Sequence, residues 1–156
     1  MKLTEPDYKG ARVLWEDISE DKVFMCDPET KVSEIAKVMV AYWIDTIFVV
    51  NKNEELLGVI TDGVLLTLMA NNKDYRNLKA KDVMAKIVYS VNAKEQIMSY
   101  ERLKKTFSKR HNRVNRIAIV DDKKRLVGVL NMNFLKKIGR FSRFYEITLK
   151  RKERAE

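Results

Sequence analysis

Few side chains in this chain could do covalent or metal chemistry. Its 156 residues contain one histidine, His111, and one cysteine, Cys26, so neither a metal-ligand set nor a Cys–His dyad can be assembled. His111 sits in Lys109-Arg110-His111-Asn112-Arg113 and reads as an exposed loop residue. Cys26 follows Phe24-Met25 and reads as a buried strand thiol. The paired carboxylates Asp121-Asp122 fall in a hairpin turn, where Asp is favoured for backbone reasons. No glycine-rich phosphate loop is present. With no base, nucleophile or metal cluster, the expectation is that the protein is not an enzyme. What remains is the chemistry of binding anions. Arg102, Lys104, Lys105, Lys109, Arg110, Arg113 and Arg116 crowd one stretch, and Lys136 to Arg154 forms a second, interleaved with Phe141, Phe144 and Tyr145. Such surfaces bind single-stranded nucleic acid by phosphate attraction and base stacking; the alternative is that the rings pack on the fold or on a second copy.

Charge follows the same division. Residues 1–80 hold 10 Lys and Arg against 14 Asp and Glu, whereas residues 81–156 hold 21 against 8. The net charge of +9 is therefore concentrated in the second half, which points to an anionic partner (nucleotide phosphate, nucleic acid or an acidic protein) or simply to a solvated face. The hydrophobic fraction of 46% is enough for a sizeable core. No apolar run reaches the roughly 18 residues of a membrane span, the start of the chain is unlike a signal peptide, and one cysteine fits a reducing cytoplasm. A charged fraction of 34% with few glycines fits a heat-adapted, archaeal-like protein.

The elements that would carry these groups come twice. Val49-Val50-Asn51-Lys52-Asn53-Glu54-Glu55-Leu56-Leu57-Gly58-Val59-Ile60 aligns without a gap on Ile119-Val120-Asp121-Asp122-Lys123-Lys124-Arg125-Leu126-Val127-Gly128-Val129-Leu130, an offset of 70. Each is an apolar run, a polar turn and a second apolar run, the pattern of a β-hairpin covered on both faces. Val32, Ile35, Ala36, Met39 and Trp43 predict a helix before the first hairpin, with Thr30 as its cap; Ile97, Tyr100, Leu103 and Phe107 predict the counterpart. Short strands are expected at residues 23–26 and 87–91, and helices after each hairpin at Val64-Leu65-Leu68-Met69 and Phe134-Leu135-Ile138. A leading helix is expected over 11–18, a polar linker over 71–82 and an added strand over 144–150. Each half then reads strand, helix, strand, strand, helix. Two such units packed together bury what one exposes and leave a cleft between them.

These segments resemble the CBS (cystathionine-β-synthase) domain family. The resemblance rests on Asp27-Pro28-Glu29-Thr30-Lys31-Val32-Ser33-Glu34-Ile35-Ala36, on Phe48-Val49-Val50 with Gly58-Val59-Ile60-Thr61, and on Lys81-Asp82-Val83-Met84, over roughly residues 8–140. It implies an α+β fold of two βαββα repeats packed as a pseudo-two-fold pair, at 8–71 and 72–140, with a basic extension at 141–156. It also implies a homodimer, and a regulatory module sensing AMP, ADP, ATP or S-adenosylmethionine in the cleft. The family's ligand motif is Gly-x-apolar-Thr/Ser-x-x-Asp, whose hydroxyl caps a helix and meets phosphate while the Asp grips ribose. Thr61 matches the hydroxyl, and Asn131 takes its place in the second repeat; Val64 and Phe134 replace both ribose carboxylates. Asn115-Arg116-Ile117-Ala118-Ile119-Val120-Asp121 resembles the stretch of the AMP-activated kinase γ subunit in which a basic residue reaches phosphate, here Arg116; the first-repeat counterpart, Asp45-Thr46-Ile47-Phe48, has no cation. The implied ligand residues are Thr46, Ile47, Thr61, Arg116, Ile117 and Asn131, with adenine against Ile47 or Ile117. The other expectation is a basic protein that binds nucleic acid or an acidic protein and whose clefts are only structural.

Overall fold

The computed structural model describes residues 14–20, 22–86, 88–95 and 116–131. They fall into two compact units. One holds Lys22–Val88 with Asp122–Leu126; the other takes 14–20, 89–121 and 127–131 of what is described.

In the first unit, β1 (Met25–Cys26) leads to helix α1 (Val32–Tyr42), then β2 (Thr46–Val50), β3 (Leu56–Thr61), α2 (Asp62–Ala70) and α3 (Ala80–Val83). The sheet order is β1-β2-β3, with β1 parallel to β2 and β3 antiparallel to it. Helix α1 forms because Val32, Ile35 and Met39 recur on one face, and all three are buried. Its start differs from the expectation: Lys31, without a side-chain bond, is the cap. Thr30 is drawn away because Asp27 Oδ1 accepts both its hydroxyl at 3.2 Å and the Glu29 N–H at 2.8 Å, closing a tight turn. The helix stops at Trp43, whose φ of 54° is left-handed. That conformation turns Trp43 off the apolar face it was expected to share, and it stands 95% exposed.

The core of this unit gathers Ile35, Met39, Ile47, Val49, Ile60 and Ala80, with the half-buried Cys26 packed against it. Ala80 belongs there because the chain returns after α2. Val32 N–H donates to Leu78 O at 3.0 Å and Ala80 N–H to Thr30 O at 2.8 Å. Ala85 then pairs with Val59 along the outer edge of β3, at 2.9 and 3.0 Å. Much of the expected polar linker is thus part of the first unit. Gly58 makes this possible: a Cβ there would stand 2.6 Å from Met84 Sδ and 2.9 Å from the Ala85 carbonyl.

In the second unit, β4 (Ser90–Asn92), β5 (Arg116–Val120) and β6 (Leu126–Asn131) form a sheet in that order, with β4 parallel to β5. Ile117, Ala118, Ile119, Val129 and Leu130 are buried in it. Where the leading helix was expected over 11–18, the described residues form a 3-10 turn, Trp15–Ile18. Trp15 is fully buried, and its backbone N–H donates to Glu95 O at 3.2 Å. From there the chain runs onto β6, where Glu20 N–H donates to Val129 O at 2.8 Å and Ser19 Oγ accepts the Val129 N–H at 3.3 Å. Gly128 leaves room for Ser19, whose hydroxyl a Cβ would strike.

The fold is α+β, two small three-stranded sheets with three α-helices described in the first unit, as expected. Several expectations lie outside the described residues: the helix at 97–107, His111, most of both basic stretches, the helix at 134–138, Phe134 itself and the strand at 144–150.

Candidate functional site

The residues singled out from the sequence collect at one end of each sheet, where the middle strand begins and the hairpin strand ends. In the first unit these are Thr46 and Thr61, partners across β2 and β3. Thr61 caps α2, its Oγ1 accepting the Val64 N–H at 3.4 Å. The surroundings are acidic. Thr46 Oγ1 donates to Asp45 Oδ1 at 2.9 Å, Asp62 N–H donates to Asp45 O at 3.0 Å, and Asp62 Oδ1 accepts the Gly63 N–H at 2.8 Å. Two carboxylates therefore flank the helix N-terminus, and part of its N–H potential is already used. Val64, where the family motif has its ribose carboxylate, is half-buried and apolar.

In the second unit the same stations, 70 residues on, are Arg116 and Asn131. The structure brings them together on a residue that sequence reasoning missed. Glu20 Oε1 accepts from Arg116 Nη1 at 3.4 Å and from Asn131 Nδ2 at 3.0 Å. Both members of the ion pair are partly shielded, with side-chain exposures of 23% for Arg116 and 34% for Glu20. A guanidinium and an amide converging on one oxygen is the geometry of an anion grip. Glu20 escaped notice because no local pattern marks it; the trace left in the sequence is the pair of glycines, Gly58 and Gly128, which each admit an incoming segment.

Ile47 and Ile117 are both buried, at 3% and 0% exposure, as are the three residues that follow each of them in β2 and β5. Burial pushes the Cys26 thiol up to about 11, a hydrogen bond with Thr30 opposes this and the Asp27 charge adds to it, so the thiolate is disfavoured. Among the described residues no group of His, Cys, Asp and Glu is placed to hold a metal, and no helix is long and apolar enough to cross a membrane. A hollow lined by Lys52, Asn53, Glu54, Glu55, Lys123 and Arg125 lies at the hairpin tips, at the opposite end of β2 from Thr46, and carries both signs of charge.

The family model of the CBS domain matches this chain twice, over residues 15–71 and 80–133. The chain belongs to the CBS domain family. Among curated proteins this CBS pair is 36% identical over 110 residues to inosine-5'-monophosphate dehydrogenase of Methanocaldococcus jannaschii, covering 70% of the chain but 20% of that enzyme. An uncharacterised protein of the same archaeon is 32% identical over 127 residues, covering 80% of the chain and 40% of the relative. The chain thus spans less than half the length of these two relatives. Among solved structures, the CBS domain pair of protein MJ0100, in complex with 5-methylthioadenosine and S-adenosyl-L-methionine, matches with a TM-score of 0.69 at 19% identity, over 85% of this chain and 99% of that one. CBSX2 in complex with AMP matches at 0.67 and 20%, over 86% and 100%. At these identities the likeness shows the fold.

Proposed function

We propose that this CBS pair is a non-enzymatic regulatory module. In this reading it binds an adenosine-type ligand (AMP, ADP, ATP or S-adenosylmethionine) and passes its occupancy to a partner. The observation that carries the reading is the convergence of Arg116 and Asn131 on one carboxylate oxygen, which supports the second repeat as the site of a ligand anion. The relatives solved with AMP and with S-adenosyl-L-methionine support the adenosine class. The first repeat is the poorer phosphate site, because Asp45 and Asp62 oppose a second negative charge there. Ribose is held weakly at both, since neither Val64 nor Phe134 accepts hydroxyl hydrogen bonds. Losing such a contact costs on the order of 1.5–3 kcal/mol, about ten- to a hundredfold in affinity.

Calorimetry with AMP, adenosine and S-adenosylmethionine tests this on wild type, Arg116→Ala and Val64→Asp. The expected result is weak, salt-sensitive AMP binding that Arg116→Ala loses. Equal affinity for adenosine and AMP, or an Arg116→Ala that binds like wild type, overturns it. Tightening by Val64→Asp places the ribose at the first repeat.

The second reading, a basic protein binding nucleic acid or an acidic protein, is favoured by the charge of residues 81–156 and gains if no adenosine compound binds. In either case a second copy is the proposed cover for the apolar helices: Val40, Trp43, Leu66 and Met69 are each more than half exposed, and no residue of α2 is buried. Sedimentation giving a monomer at micromolar concentration would remove the dimer from the proposal. The reading also places the protein in a reducing cytoplasm, with Cys26 a free thiol.

A further inference from the structure

Glu20 reaches Arg116 and Asn131 by construction rather than by chance of a mobile side chain. Its backbone is fixed on β6 by the bond from its N–H to Val129 O at 2.8 Å, reinforced by Ser19 Oγ accepting the Val129 N–H at 3.3 Å. Gly128 supplies the space that Ser19 occupies. The carboxylate is thereby carried to the two donors that end β6 and begin β5. In the first unit the equivalent backbone position is Ala85, whose N–H donates to Val59 O at 2.9 Å and which has no side chain able to reach Thr46 or Thr61 as an acceptor. A carboxylate at this position is a property of the second unit.

An incoming anion that takes the Arg116 Nη1 and Asn131 Nδ2 hydrogen bonds must displace the Glu20 carboxylate, because the two would repel each other at contact distance. A tethered carboxylate also competes at an effective concentration on the order of millimolar. A neutral ligand gains nothing by entering against it, and a free monoanion merely exchanges like for like. A multiply charged phosphoryl group brings more charge and more acceptor oxygens to the guanidinium. We infer that Glu20 is a built-in competitor that sets the specificity of the second repeat, yielding Arg116 and Asn131 to a multiply charged phosphoryl group but not to neutral or singly charged adenosine compounds. The inference rests on the proposed phosphate role of Arg116 and deepens it: displacement of Glu20 would be the first change that the ligand makes in the protein.

The test is calorimetry on the full chain with inorganic pyrophosphate, which has no adenosine part, alongside AMP. Glu20→Gln should bind pyrophosphate about tenfold more tightly than wild type, and Glu20→Gln combined with Arg116→Gln should lose that gain. Equal or weaker binding by Glu20→Gln, or a gain that survives the loss of Arg116, overturns the inference. A measurement on wild type guards against a variant that folds poorly. At saturating pyrophosphate the carbon-13 resonance of the Glu20 carboxyl should move as its contacts break, and an unmoved resonance overturns the inference too. If pyrophosphate follows this pattern while AMP binds no better than inorganic phosphate, the adenosine reading fails and the role of Glu20 stands.

Discussion

The two repeats share a frame and differ in what they hold. The frame repeats to the residue: Gly58 and Gly128 admit an incoming segment, Glu54 and Lys124 both take a left-handed φ, at 64° and 62°, to turn the hairpin, and Ile60 and Leu130 are both fully buried. The stations at the strand ends do not repeat. Thr46, Thr61, Asp45, Asp62 and Ala85 make one neutral-to-acidic; Arg116, Asn131 and Glu20 make the other a filled anion grip. Positions whose neighbours are backbone or core have little freedom to diverge. Positions whose neighbours are side chains or solvent have diverged in charge.

The frame can be broken at its glycines, where the largest effect is expected. The obstacle at Gly58 includes the Ala85 carbonyl, at 2.9 Å from a built Cβ, and that carbonyl is bonded to Val59. The obstacle at Gly128 is the Ser19 hydroxyl, with Ser19 Cβ at 3.2 Å and an Ile119 methyl at 3.4 Å, all of them side-chain atoms. Side chains rotate away more readily than a paired backbone moves. Overpacking costs about 1–3 kcal/mol, so Gly58→Ala should lie near the upper end and Gly128→Ala near the lower. Urea unfolding of both variants measures this. A Gly128→Ala that costs as much as Gly58→Ala would mean that Ser19 is held as rigidly as Ala85.

The duplicated hairpins were legible from the sequence because burial and tight turning act on neighbouring residues, and the 70-residue offset carried Thr46 and Thr61 onto Arg116 and Asn131. The edge segments were not legible. Ala85 pairs with Val59, and Glu20 with Val129, across long stretches of chain, and neither has a periodicity that announces a strand. The Thr30 cap failed for a local reason: Thr30 is held in the turn that Asp27 closes, its N–H donating to Asp27 O and its hydroxyl to Asp27 Oδ1, so that the helix starts one residue later, after Lys31. Ile47 and Ile117 were read as ligand-facing because they neighbour the stations; each begins a run of four buried residues, Ile47–Val50 and Ile117–Val120.

The difference in charge can be sharpened by giving the first repeat the cation it lacks. Thr46→Arg places a guanidinium where Arg116 stands in the second repeat. It meets Asp45 and Asp62, and pairing with them should consume it, leaving AMP affinity within about threefold of wild type, under 1 kcal/mol. Calorimetry in low salt checks this. A tenfold gain would show that the acidic surroundings of the first repeat do not decide its selectivity.

The smallest effect separates the ways in which the two incoming segments are tied down. In the second unit Glu16 pairs with Lys94 at 2.9 Å. In the first, Glu29 meets two cations, Lys79 at 2.6 Å and Lys81 at 2.7 Å, and so ties the turn before α1 to the start of α3. The hydrogen bonds from Lys79 and then Lys81 pull the Glu29 carboxyl down from 4.5 to about 2, and Glu29 in turn raises Lys81. A carboxyl lowered in the folded state stabilises it fully above the unfolded value near 4.5, and that contribution drains away between about 4.5 and about 2 as the unfolded chain takes up its proton first. Because Glu29 is exposed, water and salt screen the effect, and it should be small. Urea midpoints measured from pH 6 down to pH 2 should show Glu29→Gln below wild type at pH 6 and the two converging in that acid window. At pH 6 the loss should exceed that of Glu16→Gln and shrink in half-molar salt. A gap between wild type and Glu29→Gln that is the same at pH 6 and pH 2 would mean that the carboxylate charge plays no part. The clasp would then act through side-chain packing, and the two segments would be held by the same kind of contact after all.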